Sequence, residues 1–341
     1  MAGRVGCLTT ENRGVPVRVR VWPSRVCHLG TLDYDPMLPI QASVYVAGMT
    51  DGTLARSYGK VFNEIALEYD RHRPAYPDVL VDQACEVAGL GAGDRVLEIG
   101  CGTGQLTRSL LARGLRVTAL EPGDRLIEVA ADSLKDAGHV EFVHARLEDT
   151  QLPCERYESV FSASAIHWVD PDLGWRKIAD ALAPRGTLAL IQYVGLHEQR
   201  SVDDQQALLS ALRRHAPEIA ETWPAYRDLD RTIVGVRERR RNVADAWAWL
   251  GSYDIGRDYA ADLFDDLQFA SVPTLVEHTA AELNALLATM SWWARLSPDQ
   301  RDAVLSENHA LQERLGRPIR ASTLAVLVTA RRSGACWSVA K

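Results

Sequence analysis

Three glycines alternate in Gly100-Cys101-Gly102-Thr103-Gly104, directly after the apolar run Val96-Leu97-Glu98-Ile99 and directly before a helical pattern that opens at Gln105. Glycine tolerates positive φ and lets a ligand approach the main chain closely, so such a turn between strand and helix can seat a nucleotide-like cofactor. A second apolar strand pattern follows and ends in Glu121, whose carboxylate can accept both hydroxyls of a ribose. The spacing is GxGxG, whereas a dinucleotide dehydrogenase usually carries GxGxxG with a pyrophosphate at the helix N-terminus, and Glu98 just ahead of the turn would repel a pyrophosphate. A nicotinamide-dependent Rossmann dehydrogenase stays open as the alternative. The plainer readings are a tight turn and, for Glu121, a solvated acid at a strand end.

Glu98-Ile99-Gly100-Cys101-Gly102-Thr103-Gly104-Gln105 together with Leu120-Glu121-Pro122 resembles motif I and the acidic loop of class I S-adenosylmethionine-dependent methyltransferases, small-molecule type. The resemblance runs from about Tyr58 to Arg332 and takes in Tyr69-Asp70-Arg71-His72-Arg73-Pro74-Ala75-Tyr76-Pro77, Ala145-Arg146-Leu147-Glu148-Asp149 and Ser164-Ala165-Ile166-His167-Trp168-Val169-Asp170-Pro171. It implies S-adenosyl-L-methionine as cofactor on Gly100, Gly102, Gly104 and Glu121, with Glu98 facing the ammonium of the methionine end. It further implies that Tyr69 and Arg73 close over that end, that Leu147 and Glu148 meet the adenine, and that His167 and Trp168 line the reaction cavity. Many relatives carry Gly-Asp where this chain has Ala145-Arg146, which removes the usual carboxylate partner of the adenine amino group unless Glu148 takes its place. Tyr69 with Arg73 can equally be a stacking or salt-bridging pair, and Glu148 with Asp149 a turn cap.

Methyl transfer from a sulfonium is an in-line displacement with a donor that is already activated, so alignment of acceptor, methyl and sulfur supplies much of the catalysis. An alcohol, phenol or protonated amine must first lose a proton, while a carboxylate arrives ready. His167 is the candidate base, weighed against a role in hydrogen bonding within the cavity wall. Trp168, Tyr193 and Trp292 are candidate wall residues of the substrate pocket, each with core packing as its alternative. The His167-Trp168 pair resembles the HW or QW of trans-aconitate methyltransferases and of enzymes that esterify malonyl carrier protein, which implies a carboxylate or hydroxyl oxygen as the acceptor of a small molecule. A noncatalytic cofactor-binding module is a further alternative.

These residues need a scaffold, and short apolar runs alternating with helical patterns provide one: strands Arg95–Ile99, Arg116–Leu120, Val140–His144, Tyr157–Ser162 and Thr187–Tyr193, with helices between most of them. Such alternation predicts an α/β fold with a mainly parallel sheet. With the resemblance, the expectation is a Rossmann-like, doubly wound, seven-stranded sheet: a cofactor-binding core over 51–194, a helical cap inserted over 195–270, and strands and helices over 271–332 that complete the domain. Strand signal resumes at Val272–His278, helical patterns follow over Ala280–Met290 and Pro298–Leu315, and Ser322–Ala330 is expected as the antiparallel closing strand. Residues 1–48 read as a poorly ordered extension with one edge strand near Val15–Val21, best explained by translation from an upstream start, and 333–341 as a tail.

The bulk numbers narrow the partners. A net charge of −7 across 341 residues argues against a broad nucleic-acid surface. Six scattered cysteines, with no CxxC pair, indicate neither a zinc site nor a disulfide framework, so no metal is expected. No signal-peptide pattern or membrane span is seen, and the expected location is cytoplasmic, without a membrane partner. Oligomeric state is not legible.

Overall fold

The computed structural model describes residues 20–21, 61–223, 226–251 and 255–334. Nearly all of the 1–48 extension, the segment 51–60, Tyr253 and the tail from 335 lie outside the described residues. Among the described residues eight strands form one sheet: β1 (Arg20–Val21), β2 (Arg95–Ile99), β3 (Arg116–Glu121), β4 (Val140–His144), β5 (Tyr157–Ala163), β6 (Leu182–Gly195), β7 (Phe264–His278) and β8 (Ile319–Arg332). Their order across the sheet is β1-β7-β8-β6-β5-β2-β3-β4. Strands β2 to β6 run parallel, and β8 lies antiparallel between β6 and β7, as the closing strand was expected to do. Among the described residues the expected seven-stranded sheet is extended by β1, whose Arg20 and Val21 pair with Leu275 and Thr274.

Period-two alternation explains why these segments are strands and how the sheet is covered on both faces. Val96, Phe161, Ile191 and Leu327 face one apolar cluster, while their neighbours Leu97, Val160, Leu190 and Val326 face the other. Helices Asp78–Ala88 and Gln105–Ala112 cover the first face with Leu80, Val81, Leu106 and Leu110. Helices Pro171–Ala181 and Val243–Gly251 cover the second with Trp175, Ile178 and Trp247. Each such side chain stabilises the fold by about 1.5–3 kcal/mol on transfer grounds.

Between β6 and β7 lie helices Val202–His215, Pro217–Ala220, Leu229–Glu238 and Val243–Gly251. They divide in two. Leu212, Ala216 and Ile219 join Trp293 and Val304 in a satellite cluster, with helix Val202–His215 fixed to the start of β8 by buried Asp204. That carboxylate accepts from both terminal nitrogens of Arg317 at 2.7 and 2.9 Å and from Arg320 N at 2.7 Å. Helix Val243–Gly251 instead lies on the sheet, and Trp247 is fully buried there. β7 opens at Phe264, eight positions ahead of the strand signal at Val272.

The strand order reverses its direction of winding at β2, which has β3 on one side and β5 on the other. Ligands of open α/β sheets lie outside the carboxyl ends of the strands at such a reversal. The loops leaving β2 and β5 are therefore the ones that matter, and they carry the glycine turn and His167-Trp168.

Candidate functional site

All three glycines of the turn take left-handed backbone: φ is 71° at Gly100, 55° at Gly102 and 88° at Gly104. Different neighbours fix each one. A Cβ on Gly100 would sit 2.3 Å from Ala165 Cβ, so this glycine lets the loops after β2 and β5 touch. A Cβ on Gly104 would sit 2.7 Å from Leu134 Cδ1, which lets helix Gln105–Ala112 close on helix Asp124–Leu134. At Gly102, a Cβ would meet only Tyr69 Cε1, at 3.9 Å, so the main chain there borders open space beneath a tyrosine ring.

Glu121, at the end of β3, is buried and reaches back to this turn. Its Oε2 accepts from Gly102 N at 3.0 Å and its Oε1 from Gly123 N at 3.0 Å. Burial raises its pKa, while these two amides and His144 pull the other way. The carboxylate is thus held rigidly at the lip of the cradle with lone pairs still available to hydroxyl donors. Glu98 points to the helix side of β2, where Thr107 Oγ1 donates to its Oε2 at 2.7 Å. Burial pushes its pKa up to about 8, opposed by the Thr107 hydrogen bond and reinforced by Glu121. Its carboxyl is therefore mostly protonated at neutral pH. An ammonium group brought beside it would favour the ionised form and release a proton. Affinity for S-adenosylhomocysteine should accordingly rise between about pH 6 and pH 8, with proton release visible by calorimetry in buffers of different ionisation enthalpy, and Glu98→Gln should flatten that rise. A pH-independent affinity in the unmodified chain would count against Glu98.

The segment ahead of the sheet folds over the turn. The Arg73 guanidinium stacks on the Tyr69 ring, 5.0 Å from its centroid, and donates from Nη2 to Thr289 O at 2.7 Å. Its Nε is buried and has no hydrogen-bond partner among the described residues. A part-buried cation with an unmet donor is costly until an anionic or carbonyl oxygen reaches it. Phe62 packs edge-on against Tyr69 at 5.4 Å and against Trp168 at 6.0 Å, bridging the two rings. Tyr76 donates to Ser164 Oγ at 3.0 Å and stacks on Tyr193 at 5.7 Å, while Tyr193 donates to Ala75 O at 2.6 Å. Ser164 holds a strained φ of 52° at the exit of β5, pinned by Tyr76 and by its own N–H on Ile191 O. Phe62 and Tyr76 are contributors that sequence reasoning did not single out. Tyr76 lies within the stretch Tyr69–Pro77 that carries the resemblance, while Phe62 lies ahead of it and of every motif singled out.

Beyond Glu121, the loop after β4 holds Leu147 buried against the sheet core. Glu148 Oε1 accepts from Arg146 Nη2 at 2.8 Å and from Asp170 N at 2.8 Å, so both hydrogen bonds end on one oxygen. His167 and Trp168 form a short turn after β5, with their rings 5.0 Å apart. Burial, and secondarily the Arg73 charge, push the His167 pKa down to about 3. The imidazole is neutral at working pH, and its protonated form is poorly supported in the resting protein, which weighs against the candidate base role. Trp292 is partly buried and packs edge-on, at 5.6 Å each, between Trp223 and Trp293 against the satellite cluster. Arg73 and Phe62 both pack on Tyr69, which lies over Gly102, and Phe62 links Tyr69 to Trp168, whereas Tyr193 pairs with Tyr76.

The residues fit an adenosyl cofactor with a methionine end: an open cradle at Gly102, an acid at the ribose position, and an unmet cationic donor in Arg73. Comparison with known proteins agrees. Residues 97–190 match the family model described as a methyltransferase domain. An uncharacterized methyltransferase of Mycobacterium bovis is 34% identical over 123 residues, 36% of this chain and 48% of that protein. A demethylmenaquinone methyltransferase of Clavibacter sepedonicus is 29% identical over 154 residues, 42% of this chain and 62% of that one. The chain thus spans about half the length of the first of these curated relatives. Among solved structures, one provisionally assigned as a type II methyltransferase from Anaeromyxobacter dehalogenans superposes with a TM-score of 0.51 at 22% identity, over 76% of this chain and 97% of that one, which supports the fold. Among the described residues no helix is long and apolar enough to cross a membrane, and no group of three or more His, Cys, Asp or Glu side chains could hold a metal ion. Residues 97–190 are thus similar to a methyltransferase domain, and the sheet order and the glycine turn with its two acids agree with that similarity.

Proposed function

We propose that this chain transfers a methyl group from S-adenosylmethionine to an oxygen of an anionic small molecule, a carboxylate being favoured over a hydroxyl. The observation that favours a carboxylate is His167, at the exit of β5 beside Trp168: burial holds its imidazole neutral, which suits an acceptor that needs no base. The cofactor, when bound, supplies a methyl group activated by its sulfonium. The chain's own residues then have three tasks: Glu121 and the turn orient the nucleoside, Tyr69 and Arg73 cover the charged end, and Phe62 with Trp168 excludes water from the reaction path.

A carboxylate acceptor needs no base, and this agrees with a histidine held neutral. In this reading His167 orients the acceptor by hydrogen bonding. The pH profile of kcat/KM should show no inflection near 6–7 that is lost in His167→Ala, because the free-enzyme imidazole does not titrate above about pH 3. An inflection in that window, absent from the variant, would restore the base role. The defining experiment is mass spectrometry of the purified protein for co-purifying S-adenosylhomocysteine, followed by a screen of acids, phenols and amines for acceptor-dependent S-adenosylhomocysteine formation. Methyl ester products from acids are expected. Turnover confined to amines would overturn the oxygen assignment, and no product with any class would overturn the catalytic one.

A further inference from the structure

Lys177, on helix Pro171–Ala181, directs its ammonium at three main-chain carbonyls of the loop leaving β4: Leu147 O at 2.9 Å, Thr150 O at 2.9 Å and Glu148 O between them. Three N–H donors thus meet three acceptors on a single loop, which is the full donor capacity of a lysine. The helix sits tightly enough for this because of Gly174, where a Cβ would fall 2.3 Å from Val169 Cγ1 and 3.9 Å from Leu147 Cδ2. The same loop is tied at two further points. Ala145 N donates to Glu121 O at 3.2 Å, and Glu148 Oε1 accepts from Asp170 N at 2.8 Å, just ahead of the helix. Glu121 is paired with His144 in the sheet, so the chain that follows His144 begins beside the carboxylate assigned to the ribose. A base joined to that ribose has residues 145–150 as its neighbours.

We infer that Lys177 is a positioning residue for the cofactor's adenine: it fixes the backbone of Leu147–Thr150 in the shape that receives the base. Glu148 Oε2, which neither of that side chain's hydrogen bonds uses, is left to meet the exocyclic amino group. The inference rests on the cofactor reading above. It explains how a loop with arginine at position 146, in place of an acid, can still recognise adenine. The ammonium acts through main-chain carbonyls, so the side chains of the loop need not touch Lys177.

The test separates adenine recognition from general weakening. Dissociation constants of S-adenosylhomocysteine and of S-ribosylhomocysteine, which lacks the base, are measured on the full chain, and the ratio of the second constant to the first isolates the contribution of adenine. Lys177→Met should lower that ratio by about tenfold, as expected for loss of a charged donor to several acceptors, while S-ribosylhomocysteine affinity stays near the unmodified value. Lys177→Arg keeps the charge but cannot aim three N–H groups at the same three carbonyls, and should lower the ratio by about threefold. If Lys177→Met fails to fold, the arginine variant decides. An unchanged ratio in a folded variant overturns the positioning role, as does an equal loss for both ligands. Failure of the unmodified chain to bind S-adenosylhomocysteine would instead overturn the cofactor reading itself.

Discussion

Gly102→Val should reduce S-adenosylhomocysteine binding by at least about a hundredfold while leaving the chain folded. Two effects add. Gly102 has φ 55°, a region that costs a non-glycine residue about 1–2 kcal/mol and is least tolerated by β-branched side chains. The valine methyls would also occupy the space under the Tyr69 ring, where even a Cβ already lies 3.9 Å from Cε1. Apart from the glycine's own chain neighbours, no other described atom lies within 4 Å of that Cβ. Calorimetry reports the affinity, and far-ultraviolet circular dichroism the fold. Gly100→Ala is a useful contrast, since its Cβ would collide with Ala165 at 2.3 Å and separate the two loops. That variant should lose thermal stability as well as binding.

The second large effect is expected at Glu121. Glu121→Ala leaves the N–H groups of Gly102 and Gly123 without their acceptor, at about 1–3 kcal/mol each if they stay buried, and removes the carboxylate from the ribose position. Cofactor affinity should fall by about two to three orders of magnitude, and denaturant unfolding should show a loss of about 2–4 kcal/mol. Glu121→Gln should fall between, because one amide would keep an oxygen acceptor while the other faced an NH2 group. Affinity unchanged in Glu121→Ala would remove this residue from the cofactor site, whatever happened to stability.

The parts of the fold that were legible are those where local pattern and tertiary environment agree. Arg95–Ile99, Val140–His144 and Pro298–Leu315 coincide with the observed elements residue for residue, because alternation or capping signals close each of them without a competing irregularity. Ser297 and Gln300 form a capping box at the start of the last of these helices, with a proline behind the cap. β7 was truncated in the sequence reading for a physical reason: its opening, Phe264-Asp265-Asp266-Leu267, is acidic and shifts register between Asp265 and Gln268, with Asp266 at φ 51°. A bulge of this kind breaks the period that defines a strand. β6 hides its first turn likewise, around Arg185 at φ 62°. Helix Val243–Gly251 is apolar nearly all round, so nothing in its pattern distinguishes a lid from a layer on the sheet.

The candidate site divides along the same line. Gly100, Gly102, Gly104, Glu98 and Glu121 are contiguous with strand ends and could be read from spacing. The contacts Tyr76 to Ser164, Arg73 to Thr289 and Phe62 to Trp168 join residues far apart in sequence, and only the folded sheet brings them together. The low His167 pKa has the same origin, since it comes from burial and from a guanidinium on another element. A histidine in a motif therefore advertises a base that the tertiary environment keeps neutral.

The central claim is tested most directly by titrating the purified chain, in parallel, with S-adenosylhomocysteine and with NAD in a calorimeter. The account predicts one S-adenosylhomocysteine bound per chain, abolished by Gly102→Val, and no heat from NAD. Saturable NAD binding with no response to S-adenosylhomocysteine would contradict it.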